Sequence, residues 1–447
     1  MNILMIHFRV GATDGVSLEM NKWKHVLEAM GHKVIYAAAE ENQSKAFLIP
    51  EMSILSDIHR KLFKNCYEQL TDYETPDELH QDILKLSFVI EEKLTNIIQK
   101  ENIELMIPNN VSSLGLHLPT GIAIANVIKK LGIKTIYHHH DFFWERERYA
   151  HPTAPFIQTY LDTLFPYHVE GLTKHCLINH LAKDELYQRR QIEGYVVPNV
   201  FDFDEDEWVH TPYSTLLRKR LKIQDNDVVI LQATRIEDRK AIELALDVTH
   251  ALYQMKDYMI GKKLYDGRTF TKESNIHFVI AGLNEMRKDL FINLQKKMDS
   301  MPYQVHMIHE MIGSKRDDVK GIFALWDVYT ISDAITYPSI LEGWGNQLLE
   351  GLFAKKPIVI YEYPVFKTDI KPFGFNLISL GDQYHKNDDG YVCVSKEIIH
   401  HAAQTLIDTL TSQKTYLMMT SRNFEIAQKH LSYQALRHHI ESILGNI

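Results

Sequence analysis

Short apolar runs alternate with helical patterns along this chain, and the alternation restarts once after the middle of the sequence. Strand-like runs of the first half include Asn2–Phe8, Lys33–Ala38 and Lys134–His138. The same order returns in the second half with Asp227–Ala233, His277–Ala281 and Ala334–Tyr337. Strands that alternate with helices form parallel sheets covered by helices on both faces. The sequence therefore predicts an α/β protein with two Rossmann-like, doubly wound domains.

The length of the chain and one turn-rich segment indicate where these domains divide. A chain of 447 residues exceeds what a single core normally supports. Pro198-Asn199 opens an acidic segment that runs to about Pro212 and is typical of a linker. We therefore expect a first domain over residues 1–199, a second over residues 200–420, and a final helix over Ser421–Leu444 within a segment of residues 421–447.

Composition excludes several classes of protein. The net charge of −9 argues against a broad nucleic-acid surface, which needs clustered lysine and arginine. The three cysteines, Cys66, Cys176 and Cys393, fit no metal-binding spacing, and so few cysteines are what a reducing compartment allows. No apolar run reaches the roughly 18 residues of a membrane span. We expect a cytoplasmic protein; peripheral membrane contact and oligomeric state stay open.

The segment from Tyr337 to Glu350 carries the most specific chemistry. A strand ends there in a loop with two glycines, and a helix begins near Asn346. Backbone N–H groups at such a helix start form an anion site that suits a diphosphate. Glu350 lies in the first turns of the helix, where its carboxylate can accept hydrogen bonds from a ribose diol. The alternative is an ordinary helix start whose acidic residues complement the dipole.

A second group of residues follows the first strand of the second half. Arg235 and Lys240 lie near the same sheet edge, where two cations could offset the charge of a leaving diphosphate without a metal. Gly282, which ends the next strand, is expected at that edge as well. The alternative is a solvated loop in which nearby acidic residues pair with Arg239.

Two segments of the first half are also candidates. The turn from Gly11 to Gly15 follows the first strand, although any strand-to-helix turn can use such glycines. The run from His138 through His140 and Asp141 leaves the end of another strand, with aromatic residues after it. Some of these histidines could instead cap the strand or bind carbonyls. A metal site is disfavoured because successive side chains of an extended segment point in opposite directions.

Together these motifs resemble the donor site of retaining GT-B glycosyltransferases, specifically glycosyltransferase family 4. Glu342 and Glu350 match the family's two glutamates with seven residues between them, and Arg235 and Lys240 match its arginine and lysine with four between. Asp333 and Pro338-Ser339 match the residues before the glutamate loop. The chain departs from the family at Val200, where glycine is usual, and at Gly351-Leu352-Phe353, where Ala-Met-Ala is common.

The resemblance implies a role for each matched residue. Arg235 and Lys240 would hold the diphosphate as leaving group, and Glu350 would bind the ribose. Glu342 and the loop Gly343-Trp344-Gly345-Asn346 would contact the transferred sugar and the phosphate. Gly11 and Gly15 would face the donor diphosphate, whereas His140 and Asp141 would line the acceptor side. The resembled fold places its two domains across a cleft, with the final helix crossing back to the first domain.

The function that follows from the resemblance is retaining transfer of a hexosyl unit from a nucleoside diphosphate sugar to an acceptor hydroxyl. We expect a UDP-sugar in preference to a GDP-sugar, no metal and no other cofactor. A carbohydrate, lipid or small-molecule acceptor stays open. Two alternatives remain: a GT-B-type sugar-nucleotide epimerase, and a non-catalytic carbohydrate-binding or scaffold protein.

Overall fold

The computed structural model of the protein describes residues 1–12 and 14–445, and the chain divides into two compact units. Unit 1 consists of Met1–Val200 together with Tyr433–Ile447, and unit 2 consists of Phe201–Ser432. Thr13, Asn446 and Ile447 lie outside the described residues. Each unit is built around one parallel sheet with helices, so the predicted α/β class is confirmed.

Unit 1 alternates strands and helices from its first residues. Its strands are β1 (Asn2–Ile6), β2 (Arg9–Val10), β3 (Lys33–Ala38), β4 (Glu40–Glu41), β5 (Phe47–Leu48), β6 (Leu105–Pro108), β7 (Lys134–His139), β8 (Thr173–Leu177) and β9 (Tyr195–Val196). Its helices before the linker are α1 (Gly15–Ala29), α2 (Asp57–Tyr67), α3 (Pro76–Lys100), α4 (Leu118–Leu131), α5 (Pro155–Leu164) and α6 (His180–Arg190).

The sheet of unit 1 has the strand order β5-β3-β1-β6-β7-β8-β9, and all of its pairs are parallel. The chain proceeds outward from β1 to β3 on one side and then restarts at β6 on the other side. This reversal places a topological switch point between β1 and β6, the position where doubly wound sheets bind ligands beyond the carboxyl ends of their strands.

Unit 2 repeats the same construction. Its strands are β10 (Val228–Gln232), β11 (Ile276–Ile280), β12 (Gln304–Met307), β13 (Ile312–Gly313), β14 (Phe323–Ala324), β15 (Ala334–Tyr337), β16 (Ile358–Ile360), β17 (Ile378–Ser379), β18 (His385–Lys386) and β19 (Val392–Cys393). Its helices are α7 (Pro212–Arg220), α8 (Ile242–Gln254), α9 (Lys288–Asp299), α10 (Leu325–Ile331), α11 (Asn346–Phe353), α12 (Lys396–Leu410) and α13 (Gln413–Leu431).

The main sheet of unit 2 has the order β12-β11-β10-β15-β16-β17, again with parallel pairs. Every residue of β10, β11, β15 and β16 is buried, as expected for strands covered on both faces. The switch point lies between β10 and β15. The loops that follow these two strands carry the residues that the sequence singled out for donor binding.

The end of the chain differs from the prediction of one helix over Ser421–Leu444. Residues 421–431 belong to α13, which begins at Gln413 and lies in unit 2. Ser432 is extended, with φ −93° and ψ 172°, and separates α13 from α14 (Tyr433–Leu444). Leu436, Ile440 and Ile443 of α14 join the core of unit 1. The chain therefore returns to unit 1 at Tyr433 and not at residue 421.

Helix boundaries in both units follow from local chemistry. Asp14 caps α1 by accepting a hydrogen bond from the backbone N–H of Ser17, and Gly31 follows the helix with a φ of +86°. Within residues 1–12 and 14–445, no helix combines the length and the apolar character needed to cross a membrane.

Candidate functional site

The candidate donor site of unit 2 lies at the carboxyl edge of its sheet. β10 and β15 are hydrogen-bonded neighbours, so the loops after Gln232 and after Tyr337 leave the sheet side by side. The backbone N–H of Ile340 donates to the carbonyl of Arg239 at 2.9 Å and joins the two loops directly. Residues that are about 100 positions apart in sequence are thereby brought to one place.

The two loops bring Lys240 and Arg239 onto the same carboxylate. Lys240 Nζ contacts Glu342 Oε1, and Arg239 Nη1 donates to Glu342 Oε2 at 2.7 Å. The side chains of Lys240 and Glu342 are only 9% and 8% exposed, so this ion pair is nearly removed from water. Burial alone would raise the pKa of Glu342, but the charges of the two cations outweigh it and hold that pKa below its ordinary value. Glu342 is therefore ionised and fixed by two partners.

Lys240 keeps binding capacity despite this pair. Burial lowers the pKa of Lys240, and the neighbouring charge of Glu342 opposes that decrease. An ammonium group has three donors, and one is directed at Glu342. The remaining N–H groups can serve an anionic ligand at the sheet edge.

Arg239 is the residue of this cluster that sequence reasoning missed. The pairing with Glu237 that the sequence suggested is present, with Arg239 Nε 2.9 Å from Glu237 Oε2. No local pattern indicated the second bond, to Glu342, because that bond depends on the adjacency of β10 and β15. The one signal in the sequence for a role of Arg239 is its position directly before Lys240.

Arg235 lies in the same loop but is more open to solvent. Its Nη1 atom is 2.7 Å from Glu285 Oε2 and 3.2 Å from Glu237 Oε1, and half of the side chain is exposed. Glu285 follows β11, so a carboxylate from the neighbouring strand end orients this guanidinium. With five donors, arginine can keep these contacts and still bind a phosphate oxygen.

Gly282 sets the distance between the loops after β10 and β11. A Cβ at this position would lie 1.8 Å from the carbonyl oxygen of Thr234 and 2.6 Å from the backbone nitrogen of Arg235. Only glycine permits this approach, and the backbone of Ile236 then bonds to that of Leu283 and Glu285 at 2.8 and 3.0 Å. Gly282 thus positions Arg235 through the backbone, a role distinct from the predicted donor contact.

The glycine loop after β15 leads directly into α11, as predicted. Gly345 has a φ of +132°, and a Cβ there would lie 2.5 Å from Tyr363 Oη, so the position requires glycine. Trp344 is 3% exposed, and its carbonyl accepts a hydrogen bond from Tyr363 Oη. The indole of Trp344 is therefore part of the core, whereas Gly343 is exposed and Asn346 partly exposed at the helix start.

Glu350 lies one turn into α11 and remains partly exposed. Tyr329 Oη donates to Glu350 Oε2 at 2.7 Å and orients the carboxylate. Asp333, by contrast, precedes β15 at the amino end of the strand. Its carboxylate accepts hydrogen bonds from the backbone N–H of Val229 at 2.7 Å and from Tyr265 Oη at 3.0 Å. These bonds tie together neighbouring parts of unit 2, so Asp333 stabilises the fold at the edge opposite the candidate site.

In unit 1, His140 and Asp141 follow β7 at the carboxyl edge of the sheet. Asn110, which follows β6, accepts a bond from the backbone N–H of His140 at 3.0 Å and donates to Asp141 Oδ1 at 2.7 Å. Arg146 Nε donates to Asp141 Oδ2 at 3.0 Å. Asn110 has a φ of +56°, an uncommon conformation for a residue other than glycine. Sequence reasoning missed both Asn110 and Arg146.

The three consecutive histidines have different surroundings. His138 Nδ1 lies 3.0 Å from Asn109 Oδ1, and His139 lies 2.6 Å from Ser113 Oγ and 3.1 Å from His175. These two rings are buried and contact side chains of the core, whereas the sequence had suggested strand capping or binding to carbonyls as the structural alternative. His140 differs: its Nε2 atom is buried without a hydrogen-bond partner in the described part of the chain. Burial lowers the pKa of His140 to about 4, so the ring is neutral at pH 7.

Gly11 and Gly15 frame the turn between β2 and α1. Gly11 has a φ of +70°, and a Cβ there would lie 2.4 Å from the backbone nitrogen of Ser44, so a neighbouring loop packs directly on it. Gly15 is the first residue of α1. Thr13, between them, lies outside the described residues. Over residues 1–12 and 14–445, no three His, Cys, Asp or Glu side chains are grouped so that they could hold a metal ion.

Each unit thus collects its predicted residues at one sheet edge. Unit 2 brings together Arg235, Lys240, Gly282, Glu342, Gly343, Trp344, Gly345, Asn346 and Glu350. Unit 1 places Gly11, Gly15, His140 and Asp141 at the carboxyl ends of β1 and β7. Their contacts with substrates stay a prediction.

Comparison with known proteins supports an assignment at the level of family. Residues 214–425 match the family described as Glycosyl transferases group 1. The mannosylglucosylglycerate synthase of Petrotoga mobilis is 38% identical over 402 residues, which cover 89% of this chain and 91% of that protein. The mannosylglucosylglycerate synthase of Thermotoga maritima is 36% identical over 441 residues, or 98% of each chain.

A solved structure extends the comparison to the fold. The crystal structure of Anabaena HepE in complex with UDP-glucose superposes with a TM-score of 0.60 and covers all of both chains at 12% identity. Two Rossmann-like units with this architecture and this domain match define a GT-B glycosyltransferase. The chain belongs to the same family as the two mannosylglucosylglycerate synthases, one that carries the group 1 glycosyl transferase domain.

Proposed function

We propose that this protein transfers a mannosyl unit from a nucleoside diphosphate mannose to a hydroxyl group of glucosylglycerate. The observation that carries the proposal is its identity of 36–38% to two mannosylglucosylglycerate synthases over almost their whole length. A product of that name contains a mannosyl, a glucosyl and a glycerate group. Transfer of one hexosyl unit to glucosylglycerate forms it in a single step.

The donor is proposed to bind at the carboxyl edge of unit 2. Arg235 and Lys240 would contact the diphosphate together with the backbone of Gly343 and Gly345, and Glu350 would accept hydrogen bonds from the ribose. The location of these groups beside the switch point of a doubly wound sheet supports this assignment. The preference for a UDP-sugar over a GDP-sugar stays a prediction from the sequence.

The reaction is proposed to retain the configuration of the sugar. The bond between the anomeric carbon and the diphosphate oxygen breaks, and the acceptor oxygen bonds to that carbon on the same face. The acceptor proton passes to the departing phosphate oxygen. Arg235 and Lys240 stabilise the charge that develops on the phosphate, so the proposal requires no metal.

Nucleotide binding tests the donor site. UDP, GDP and ADP would be titrated into the wild type and into the Arg235→Ala/Lys240→Ala variant. The matched control is Arg422→Ala/Lys429→Ala, which removes one exposed arginine and one exposed lysine from α13 in the same unit. We expect one nucleotide to bind the wild type and the control, and to be lost in the first variant. No nucleotide binding by the folded wild type would contradict the proposal.

Product analysis tests the reaction. Incubation with glucosylglycerate and either UDP-mannose or GDP-mannose, with and without EDTA, should give a mannosylated product with the donor's anomeric configuration. EDTA should leave the rate unchanged. An epimerised nucleotide sugar formed without acceptor would favour the epimerase alternative. Nucleotide binding without turnover on any acceptor would favour the scaffold alternative.

A further inference from the structure

The carboxyl edge of unit 1 contains an arginine that is held in place but only partly used. Arg9 lies in β2, just beyond the end of β1, and its Nε atom donates to Asp14 Oδ2 at 2.9 Å. Asp14 is itself fixed, since Oδ1 accepts the backbone N–H of Ser17 at 3.1 Å. Ser17 Oγ in turn donates to the carbonyl of Arg9 at 3.2 Å. This closed set of bonds positions the inner edge of the guanidinium.

The outer edge of the same guanidinium, formed by its two Nη groups, makes no hydrogen bond to the residues that the structure describes. Neither Nη atom of Arg9 has a hydrogen-bond partner within residues 1–12 and 14–445, and the side chain is 41% exposed. A guanidinium has five donors in a rigid plane, and one of them is used here. The two Nη groups match the spacing of the two oxygens of a carboxylate.

Other cations near this edge are already engaged. Arg146 directs both Nε and Nη2 at Asp141. Lys22 is held by Glu19 and by the carbonyl of Val200. Of these three cations, Arg9 has the most donors left for a ligand, because only one of its five is used.

A neutral polar group accompanies Arg9. His140 follows β7 at the same sheet edge, and it is close enough to Asp14 for that charge to act on its pKa. Its Nε2 atom has no hydrogen-bond partner among the described residues. A neutral imidazole can exchange a hydrogen bond with a sugar hydroxyl without competing for an anion. The Arg9 guanidinium is a charged donor, and the His140 imidazole is a neutral group that can donate and accept. Together they suit an acceptor substrate with one carboxylate and several hydroxyls.

We propose that Arg9 binds the carboxylate of the acceptor and thereby makes the enzyme select an acidic glycoside over its neutral counterpart. This inference rests on the proposed function, because the glycerate group of glucosylglycerate supplies the carboxylate. His140 then contacts a hydroxyl of the same acceptor.

The test compares two acceptors that differ only in this group. Glucosylglycerate and glucosylglycerol, which has CH₂OH in place of the carboxylate, would be assayed with the wild type, Arg9→Gln, Arg9→Lys and the control Lys45→Gln. Lys45 is a 95% exposed cation of the same unit. For Arg9→Gln we expect the KM of glucosylglycerate to rise by about 10- to 100-fold, the range of one charged hydrogen-bonded contact. The KM of glucosylglycerol and of the donor should stay unchanged.

The conservative variant and the control refine the result. Arg9→Lys keeps the charge but not the paired donors, so it should recover only part of the selectivity. Lys45→Gln should behave as the wild type. A rise in KM that is equal for both acceptors, or a rise in the donor KM instead, would overturn the assignment of Arg9. No transfer to glucosylglycerate by the wild type would overturn the proposed function, and this inference with it.

Discussion

Replacing Gly282 with alanine tests whether the end of β11 positions the Arg235 loop. The added Cβ would lie 1.8 Å from the carbonyl oxygen of Thr234, where ordinary contacts begin at 3.4 Å. The oxygen would therefore have to move by the difference, about 1.6 Å. Because the opposing atoms are backbone, no change of rotamer can relieve the contact. The loop that carries Arg235 must shift as a whole.

The size of this shift gives the expected effect on activity and stability. A misplacement of about 1 Å at a catalytic group can reduce turnover by roughly 10²-fold. Forcing an extra carbon into a packed site typically costs about 1–3 kcal/mol of folding free energy. We expect Gly282→Ala to lower kcat by about 10²-fold and to lower the Tm of unit 2 by several degrees. Steady-state kinetics and thermal unfolding measure the two effects.

Gly351→Ala is the matched control for this experiment. The atoms nearest to its Cβ would be the flexible ends of the Ile358 and Ile335 side chains, at 3.0 and 3.1 Å, and not backbone. Alanine is also the better helix former by about 1 kcal/mol, and Gly351 lies within α11. The control should therefore keep its activity and its stability. If Gly282→Ala also kept wild-type kcat and Tm, the proposed positioning of Arg235 by this backbone contact would be refuted.

Three further predictions concern the donor site and the histidines. Lys240→Ala should reduce kcat by about 10²–10³-fold with the fold intact, because a preorganised contact to the phosphate is lost; near-wild-type turnover would defeat the assignment. Tyr329→Phe removes the hydrogen bond that orients Glu350, so the nucleotide Kd should rise by about 2- to 10-fold at constant kcat. Titration calorimetry measures this Kd, and an unchanged value would contradict the role given to Tyr329. Burial lowers the pKa of His7 to about 4 and of His117 to about 3. Since both pKa values lie below the unfolded value of about 6.5, their contribution to stability is complete above pH 6.5 and is lost as the pH falls toward 4, by about 1.4 kcal/mol per pH unit for each residue. Equal stability at pH 7.5 and pH 5 in thermal unfolding would contradict this account.

Several elements could be located from the sequence because their signals are local. Lys33–Ala38 and Ala334–Tyr337 have the same bounds in the structure as in the sequence-based assignment. Periodicity and turn residues act within one element, so they carry over from sequence to structure. The start of α11 at Asn346 was predictable for the same reason, since two glycines precede it.

The break before the last helix shows where local signals fail. The helical pattern continues from residue 421 to residue 444 without a glycine or proline at the break, so periodicity alone joins the two helices. Ser432 is extended and its side chain is buried, and the side chains after it pack into unit 1 instead of unit 2. Packing in the core of a different unit, not propensity, ends α13.

By itself, the sequence determined the two α/β repeats and the residue types and spacings of the candidate donor site. The strands are buried on both faces, and their continuous apolar runs record this burial directly. Only the tertiary structure decided the partners of the charged residues. Arg239 binds Glu342 across 103 positions of sequence because β10 and β15 are neighbours in the sheet. His138 and His139 became core residues, whereas His140 Nε2 has no hydrogen-bond partner among the described residues. Strand neighbours and burial, which sequence spacing does not encode, set the surroundings of each ring.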